Sequence, residues 1–169
     1  ALAVAGVANS EGAGAGYGEG RKWFATSHGF FGASGGAHHS LSVSVIAEDK
    51  NGMERDYDWD SKTHIADMRA PDAIGARAGT RAAARLSPKK IKSQTAPVIY
   101  DKRLSGSLLG SLAGAINGGA IARGVSFLKD KKGAQIFPRG LNVIDDPHVK
   151  RGHASRPFDK SRDGFVVGE

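Results

Sequence analysis

Residues 39–60 read HSLSVSVIAEDKNGMERDYDWD and predict an antiparallel β-hairpin. The first half alternates apolar and polar side chains, as a strand does when one of its faces is buried. The second half alternates in the same way, and its aspartates at 56, 58 and 60 oppose Arg55, Tyr57 and Trp59. Asn51-Gly52 lies between the halves and suits a tight turn that needs positive φ. We expect the acidic side of the second strand to be a solvated face.

Two helices are predicted after the hairpin. Residues 71–86 begin at a proline, and apolar side chains recur there every four residues, at Ile74, Ala78, Ala82 and Leu86. Residues 104–121 carry glycines at the same spacing, which on a helix form a smooth ridge against which another element can pack. The fold class predicted is therefore α+β, with an antiparallel sheet in residues 21–60 packed with helices near 71–86 and 104–121.

Three further segments give weaker signals. Residues 8–20 read ANSEGAGAGYGEG and match neither a dinucleotide fingerprint nor a phosphate loop, so we expect a flexible hairpin or loop there. Short apolar runs at 97–100 and 141–144 predict two more strands, the second as a return strand.

The composition narrows the function classes. The chain has 169 residues, a net charge of +7 and no cysteine, which excludes disulfide scaffolds, thiolate zinc sites and cysteine nucleophiles. Residues 1–80 hold 7 basic and 10 acidic side chains, against 17 and 7 in residues 81–169. The basic residues are scattered without interleaved aromatic rings, which argues against a nucleic-acid partner. Residues 1–8 lack a signal-peptide pattern and glycines interrupt the apolar stretch 104–122, so we expect a cytoplasmic protein with no membrane span.

The common metal motifs are missing from the sequence. None of its six histidines is followed by a glutamate, and His38 and His39 would point to opposite faces of a strand. Four aspartates, at 56, 58, 60 and 67, have the spacing of a calcium loop, but Ser61 stands where such a loop requires glycine.

Four stretches of the sequence resemble the TldD/PmbA family. They are NSEGAGAGYGEGRKWFATSHGFFGASGGAHHSLSVSVIAED (9–49), NGMERDYDWDS (51–61), APVIYDKRLSGSLLGSLAGAINGGAIARGVSFLKDKKGAQIF (96–137) and NVIDDPHVKRG (142–152). The resemblance runs from about residue 9 to about residue 159 and is stronger to the PmbA (TldE) branch than to the TldD branch. Family members are much longer, so the resemblance implies an internal segment.

The resemblance implies a part in a peptidase complex. Family members assemble as a TldD–TldE pair that degrades or processes peptides, and older descriptions call them modulators of DNA gyrase. In TldD-type chains a His-Glu-x-x-x-His motif follows a Leu-Leu pair and binds zinc. Aligned on Leu108-Leu109, the three motif places fall on Gly110, Ser111 and Ala115, none of which can bind zinc or act as a strong base.

We therefore expect a non-catalytic subunit. The expectation includes no metal or cofactor on this chain, zinc on a TldD-type partner in a heterodimer, and an unfolded or modified peptide as substrate. The candidate interface is the glycine ridge of Gly106, Gly110, Gly114 and Gly118.

Two alternative functions stay open, and the C-terminal tail is assigned separately from the rest of the chain. The alternatives are an autonomous metallopeptidase of the same family and a basic binding module acting on nucleic acid or DNA gyrase. Residues 1–155 are assigned to the TldD/PmbA-like part and residues 156–169 to a divergent tail. From His153 onward the sequence instead resembles a piece of β-ketoacyl-ACP synthase II, and we assign no activity to it because the cysteine nucleophile of those enzymes is missing.

Overall fold

The computed structural model describes residues 1–158 and divides into two units. The first unit holds Ala1–Lys90 together with the described residues from Asp145 on, and the second holds Ile91–Ile144. Strands β1 (Val7–Ala25), β2 (Phe31–Asp49) and β3 (Gly52–Lys62) form an antiparallel sheet of order β1-β2-β3. A short 3-10 helix (Ile65–Asp67) and helix α1 (Pro71–Ala84) complete the first unit. This architecture confirms the predicted α+β class.

The hairpin of β2 and β3 confirms the strongest sequence prediction. Asp49 pairs with Gly52, so the loop consists of Lys50 and Asn51. The Asp49 carboxylate accepts a 2.8 Å hydrogen bond from the Asn51 N–H. Gly52 has φ +145°, a conformation that side-chain-bearing residues rarely adopt. The turn therefore uses the glycine for backbone freedom and the aspartate for a local hydrogen bond.

The prediction of a loop at residues 8–20 is wrong, because this segment lies inside strand β1. It pairs with β2 along its whole length, from Val7 opposite Ala47 to Ala25 opposite Phe31. The backbone ladder supplies the hydrogen bonds, and glycines at every second position leave one face of the strand without side chains. A Cβ at Gly16 would lie 2.7 Å from the Ser40 Oγ, so the glycine permits close pairing. Because glycines occupy one face of β1, the sequence lacks the alternation of apolar and polar side chains that usually indicates a strand.

Helix α1 packs against one face of the sheet, which we call the helix face. Val45 and Ala47 of β2 are fully buried against Ala78 and Ala82 of α1. The four-residue spacing correctly predicts the buried stripe, but the helix ends at Ala84, and Leu86 packs on the core from beyond its end.

The prediction of a solvated acidic face on β3 is wrong. Asp56, Asp58 and Asp60 are buried on the helix face, whereas Met53, Tyr57 and Trp59 are exposed on the other face. The register pairs Asp58 with Val43 and Asp56 with Val45, so these aspartates share the face that α1 covers. Arginines reach them from that side and make the burial of the carboxylates tolerable.

The second unit contains helices α2 (Lys102–Ile116) and α3 (Gly118–Ala122). The single helix predicted over 104–121 is therefore interrupted at Asn117, whose extended ψ of 126° ends α2 and whose carboxamide accepts from the first N–H groups of α3. No strand forms at 97–100 or 141–144 within the described chain, so both strand predictions are wrong. Apolar runs need a paired neighbour to become strands, and these have none there. Within residues 1–158, every helix is too short or too polar to traverse a bilayer.

Candidate functional site

Helix α2 holds the three positions, Gly110, Ser111 and Ala115, that the family resemblance aligns with the zinc motif. Its first turn is capped by Asp101, which accepts a 2.9 Å hydrogen bond from the Arg103 N–H. At its last turn the Ser126 hydroxyl donates to the Ala115 carbonyl at 2.6 Å. Gly110 and Ser111 are exposed, and Ala115 is buried with 7% of its surface accessible. The helix is thus well capped at both ends.

These three positions do not fit a zinc ion. Zinc in proteins takes Cys, His or carboxylate ligands, usually at least three of them. Gly110 and Ala115 offer no side-chain donor, and Ser111 offers only a neutral hydroxyl. Among residues 1–158, no three His, Asp or Glu side chains come close enough together to hold a metal ion.

The glycine ridge is shorter than the sequence suggests. Gly106, Gly110 and Gly114 lie on α2, but Gly118 belongs to α3, beyond the break at Asn117. A Cβ placed at any of the four would meet nothing within 4 Å among the described residues. The ridge is therefore open, and its role as an interface stays a prediction.

A second cluster lies where β2 and β3 meet the residues after the second unit. The rings of His38 and His153 meet edge to face, with centroids 6.1 Å apart. The Ser61 carbonyl accepts from His153 Nε2 at 3.0 Å, and the Ser61 hydroxyl lies 3.3 Å from His38 Nδ1. His39 instead lies beside Tyr17, with ring centroids 5.0 Å apart. The two adjacent histidines thus have different surroundings, and only two of the six come together at this cluster.

Residues 151–158, which we call the strap, cross the sheet face opposite α1. We call that surface the glycine face, because the alternate glycines of β1 lie on it. At one end the Thr63 hydroxyl donates to the Arg151 carbonyl at 2.8 Å, and Arg151 pairs with Asp67. At the other end Phe158 is buried against the rings of Phe24 and Phe30.

A cavity of about 820 Å³ lies between the strap and the glycine face. Its walls include Gly18, Gly20 and Gly36 from the sheet and His153 and Arg156 from the strap. Sequence reasoning missed this cavity because the strap lies more than a hundred positions from the glycines of β1. The signal that could have found it is the alternation of glycines in β1, which predicts one bare strand face.

An ion-pair network fixes the end of β3 on the helix face. Arg69 donates to Asp58 at 2.7 Å through its guanidinium and to Asp60 at 2.8 Å through its backbone N–H. The hydrogen bond to Asp58 raises the pKa of Arg69. Burial by itself would raise the pKa of Asp60, but the Arg69 N–H and the Lys62 charge outweigh it and lower that pKa.

Part of the tail lies outside the described residues. Residues 159–169, which make up most of the predicted divergent tail, lie outside the residues that the structure describes. Residues 156–158 are part of the strap.

Comparison with known families gives two matches that together span most of the chain. Residues 1–86 match the PmbA/TldA metallopeptidase central domain, and residues 93–163 match the PmbA/TldA metallopeptidase C-terminal domain. The second match includes the first residues of the segment that we assigned to a divergent tail.

Known relatives agree with these family matches. Metalloprotease PmbA of Escherichia coli O157:H7 is 40% identical over 90% of this chain and 34% of its own length. A Metalloprotease PmbA homolog of Haemophilus influenzae is 31% identical over the same shares. A crystal structure from Bacteroides thetaiotaomicron, named for modulation of DNA gyrase, superposes with a TM-score of 0.76 at 27% identity over 92% of this chain and 36% of that one.

The chain spans about a third of the length of the curated relatives it matches. The predicted resemblance to an internal segment of this family is confirmed. By its two domain matches and its similarity to PmbA proteins, the chain belongs to the PmbA/TldA metallopeptidase family and corresponds to an internal segment of it.

Proposed function

We propose that this chain acts as part of a non-catalytic, PmbA/TldE-like subunit in a zinc metalloprotease complex that degrades or processes peptides. Membership of a metallopeptidase family supports the peptide-directed role. The part of the proposal that makes the subunit non-catalytic is supported by the lack of zinc-binding side chains on α2. At the aligned motif places this helix presents a glycine, a serine and a buried alanine.

The proposal assigns zinc and the cleavage step to a TldD-type partner. This chain would supply surfaces that hold the partner and admit an unfolded or modified peptide. The open ridge of α2 is the candidate contact with the partner, because nothing among the described residues fills it. Strand β3 pairs with β2 along one edge, and no other strand of the described sheet lies along its second edge. Such an edge can accept an added strand from a peptide.

Co-expression with a TldD-type subunit tests the proposal. We expect a one-to-one complex in which zinc, measured by mass spectrometry, is stoichiometric with the partner and absent from this chain purified alone. We also expect the partner to cleave an unfolded peptide faster in the complex than by itself. Undiminished cleavage by the partner alone would contradict the proposal.

A pair of variants tests the ridge. Gly110→Trp places a large side chain on the ridge, and we expect it to weaken the complex by at least about tenfold. Ser105→Trp makes a bulky replacement on another exposed face of α2 and should leave affinity within about threefold. Equal effects of the two variants would remove the ridge from the interface.

The same samples decide between the alternatives. Stoichiometric zinc and peptide cleavage by this chain alone would favour an autonomous metallopeptidase. Nanomolar DNA binding that falls steeply with salt would favour a nucleic-acid module.

A further inference from the structure

We propose that the cavity beneath the strap binds a carboxylate group of a peptide. The inference rests on the proposed function, since it names a chemical feature of the peptide that the complex receives. Three observations carry it: the basic side chains of the lining, the glycines on its sheet side, and the lack of phenylalanine, tyrosine and tryptophan among the described lining residues.

Cations stand on both sides of the cavity. Lys22 belongs to β1 on the sheet side, and Arg156 belongs to the strap. Within residues 1–158 neither side chain forms an ion pair, and the Arg156 Nε is held at 3.4 Å from the Ala154 carbonyl. The other charged groups are engaged, because Arg151 pairs with Asp67 and the Glu19 carboxylate accepts from the Tyr17 hydroxyl at 2.8 Å. A carboxylate has two oxygens, and each can accept a charge-assisted hydrogen bond from a cation.

Glycines keep the cavity open. A Cβ at Gly18, Gly20 or Gly36 would meet nothing within 4 Å, so each position faces empty space. None of the three has a left-handed φ, so the backbone there does not require glycine. Their effect is to leave room for another backbone to approach the sheet closely. A volume of about 820 Å³ lies within the range of small-ligand sites and accommodates a few peptide residues.

The lining favours a peptide over a nucleotide. Among residues 1–158, the lining contains no phenylalanine, tyrosine or tryptophan, and its rings are the imidazoles of His38 and His153. Bases are normally held by stacking on aromatic side chains. Backbone groups and small side chains, which prevail here, suit an extended main chain.

Fluorescence anisotropy on the full chain tests the proposal with three labelled peptides. The first is tetra-alanine with a free C-terminus, the second is its C-terminal amide, and the third is the amide with one internal aspartate. We expect the free carboxylate to bind at least about tenfold more tightly than the plain amide. Recovery of affinity with the third peptide identifies an acidic side chain as an equal source of the carboxylate, and no recovery identifies the C-terminus. Equal affinity for the first two peptides would overturn the proposal if the third binds no better.

Variants of the chain locate the binding. Lys22→Gln and Arg156→Gln should each reduce affinity about fivefold to tenfold, whereas Lys89→Gln removes the same charge from an exposed residue outside the cavity and should change little. Gly36→Leu places a branched side chain in the cavity and should weaken binding by at least about tenfold, and Gly36→Ala at the same position should retain most of it. If Lys89→Gln weakens binding as much as the other two charge variants, or if Gly36→Leu binds normally, the site is not this cavity.

The design separates this inference from the proposed function. It uses this chain without a partner and reads binding only. A failed peptide titration therefore leaves the zinc and cleavage experiment unaffected, and a failed complex leaves the titration unaffected.

Discussion

Replacing Asp58 with asparagine tests whether the buried network on the helix face stabilises the first unit. Asp58 is 3% exposed. Its carboxylate accepts from Arg69 at 2.7 Å and from Arg81 at 3.3 Å. Asparagine preserves the volume and one acceptor oxygen but removes the charge that compensates two guanidinium groups. The variant therefore leaves both guanidinium groups with less negative charge close to them.

The expected loss follows from the burial of these groups. Breaking a buried ion pair by removing one member costs about 3–5 kcal/mol. The side chain of Arg69 is 34% exposed, so water relieves part of that loss, and we expect a decrease of about 2–3 kcal/mol in the free energy of unfolding. Glu54→Gln is the matched control, because its partner Arg85 is 57% exposed and their atoms are 3.4 Å apart. There we expect at most about 1 kcal/mol.

Urea unfolding followed by tryptophan fluorescence measures both variants. Trp23 and Trp59, the two tryptophans of the chain, lie on β1 and β3, so the signal reports on the sheet. A lower midpoint with an unchanged slope would locate the effect in the stability of the folded state. If the loss at Asp58 is under about 1 kcal/mol and equals that of the control, the charges are not functioning as a buried network.

Three further predictions concern other parts of the first unit and one helix of the second. The lowered pKa of Asp60 implies a stabilisation that is present above its ordinary value of 3.8 and lost as the pH falls through the folded-state pKa. The difference in unfolding free energy between wild type and Asp60→Asn should therefore shrink below about pH 4 and vanish in stronger acid. Gly79→Ala should lower the thermal midpoint, because the new Cβ would lie 2.8 Å from the Val4 side chain. At Gly106 a new Cβ meets nothing within 4 Å, so Gly106→Ala should raise the stability of α2 by up to about 1 kcal/mol. Thermal unfolding followed by circular dichroism measures both variants. Phe158→Ala should release the strap and speed tryptic cleavage after Arg151 without changing the cleavage pattern of the sheet. An unchanged cleavage rate would mean that the aromatic contact does not hold the strap.

The local signals of the sequence predict the first unit well where they are strong. Alternation and the Asn-Gly turn predict the hairpin of β2 and β3, and the stripe of Ile74, Ala78 and Ala82 predicts the buried side of α1. These signals succeed because a buried apolar face imposes a period on the sequence.

The wrong predictions concern segments whose structure depends on contacts with residues far away in the sequence. Strand β1 has no apolar period, since glycines occupy the face that a side chain would mark, and only its pairing with β2 reveals it. The sequence predicts that the aspartates of β3 form a solvated face, because it does not show that α1 places Arg81 and Arg85 against them. The cavity likewise depends on a strap that lies more than a hundred positions from Gly20 in the sequence. Apart from the alternating glycines of β1, such contacts leave no local pattern.

The composition of α2 links the predicted loss of catalysis to the predicted interface. Three interior glycines cost this helix about 3 kcal/mol relative to alanine. Its caps at Asp101 and Ser126 recover part of that cost, but among the described residues no neighbour occupies the space above the ridge. A catalytic role for Gly110 would not explain the cost, because glycine offers zinc no donor. Close packing against another polypeptide would explain it, since only glycine lets two backbones approach so closely. In the proposed function, Gly110 would therefore both leave α2 without a zinc donor and suit the helix to hold a partner.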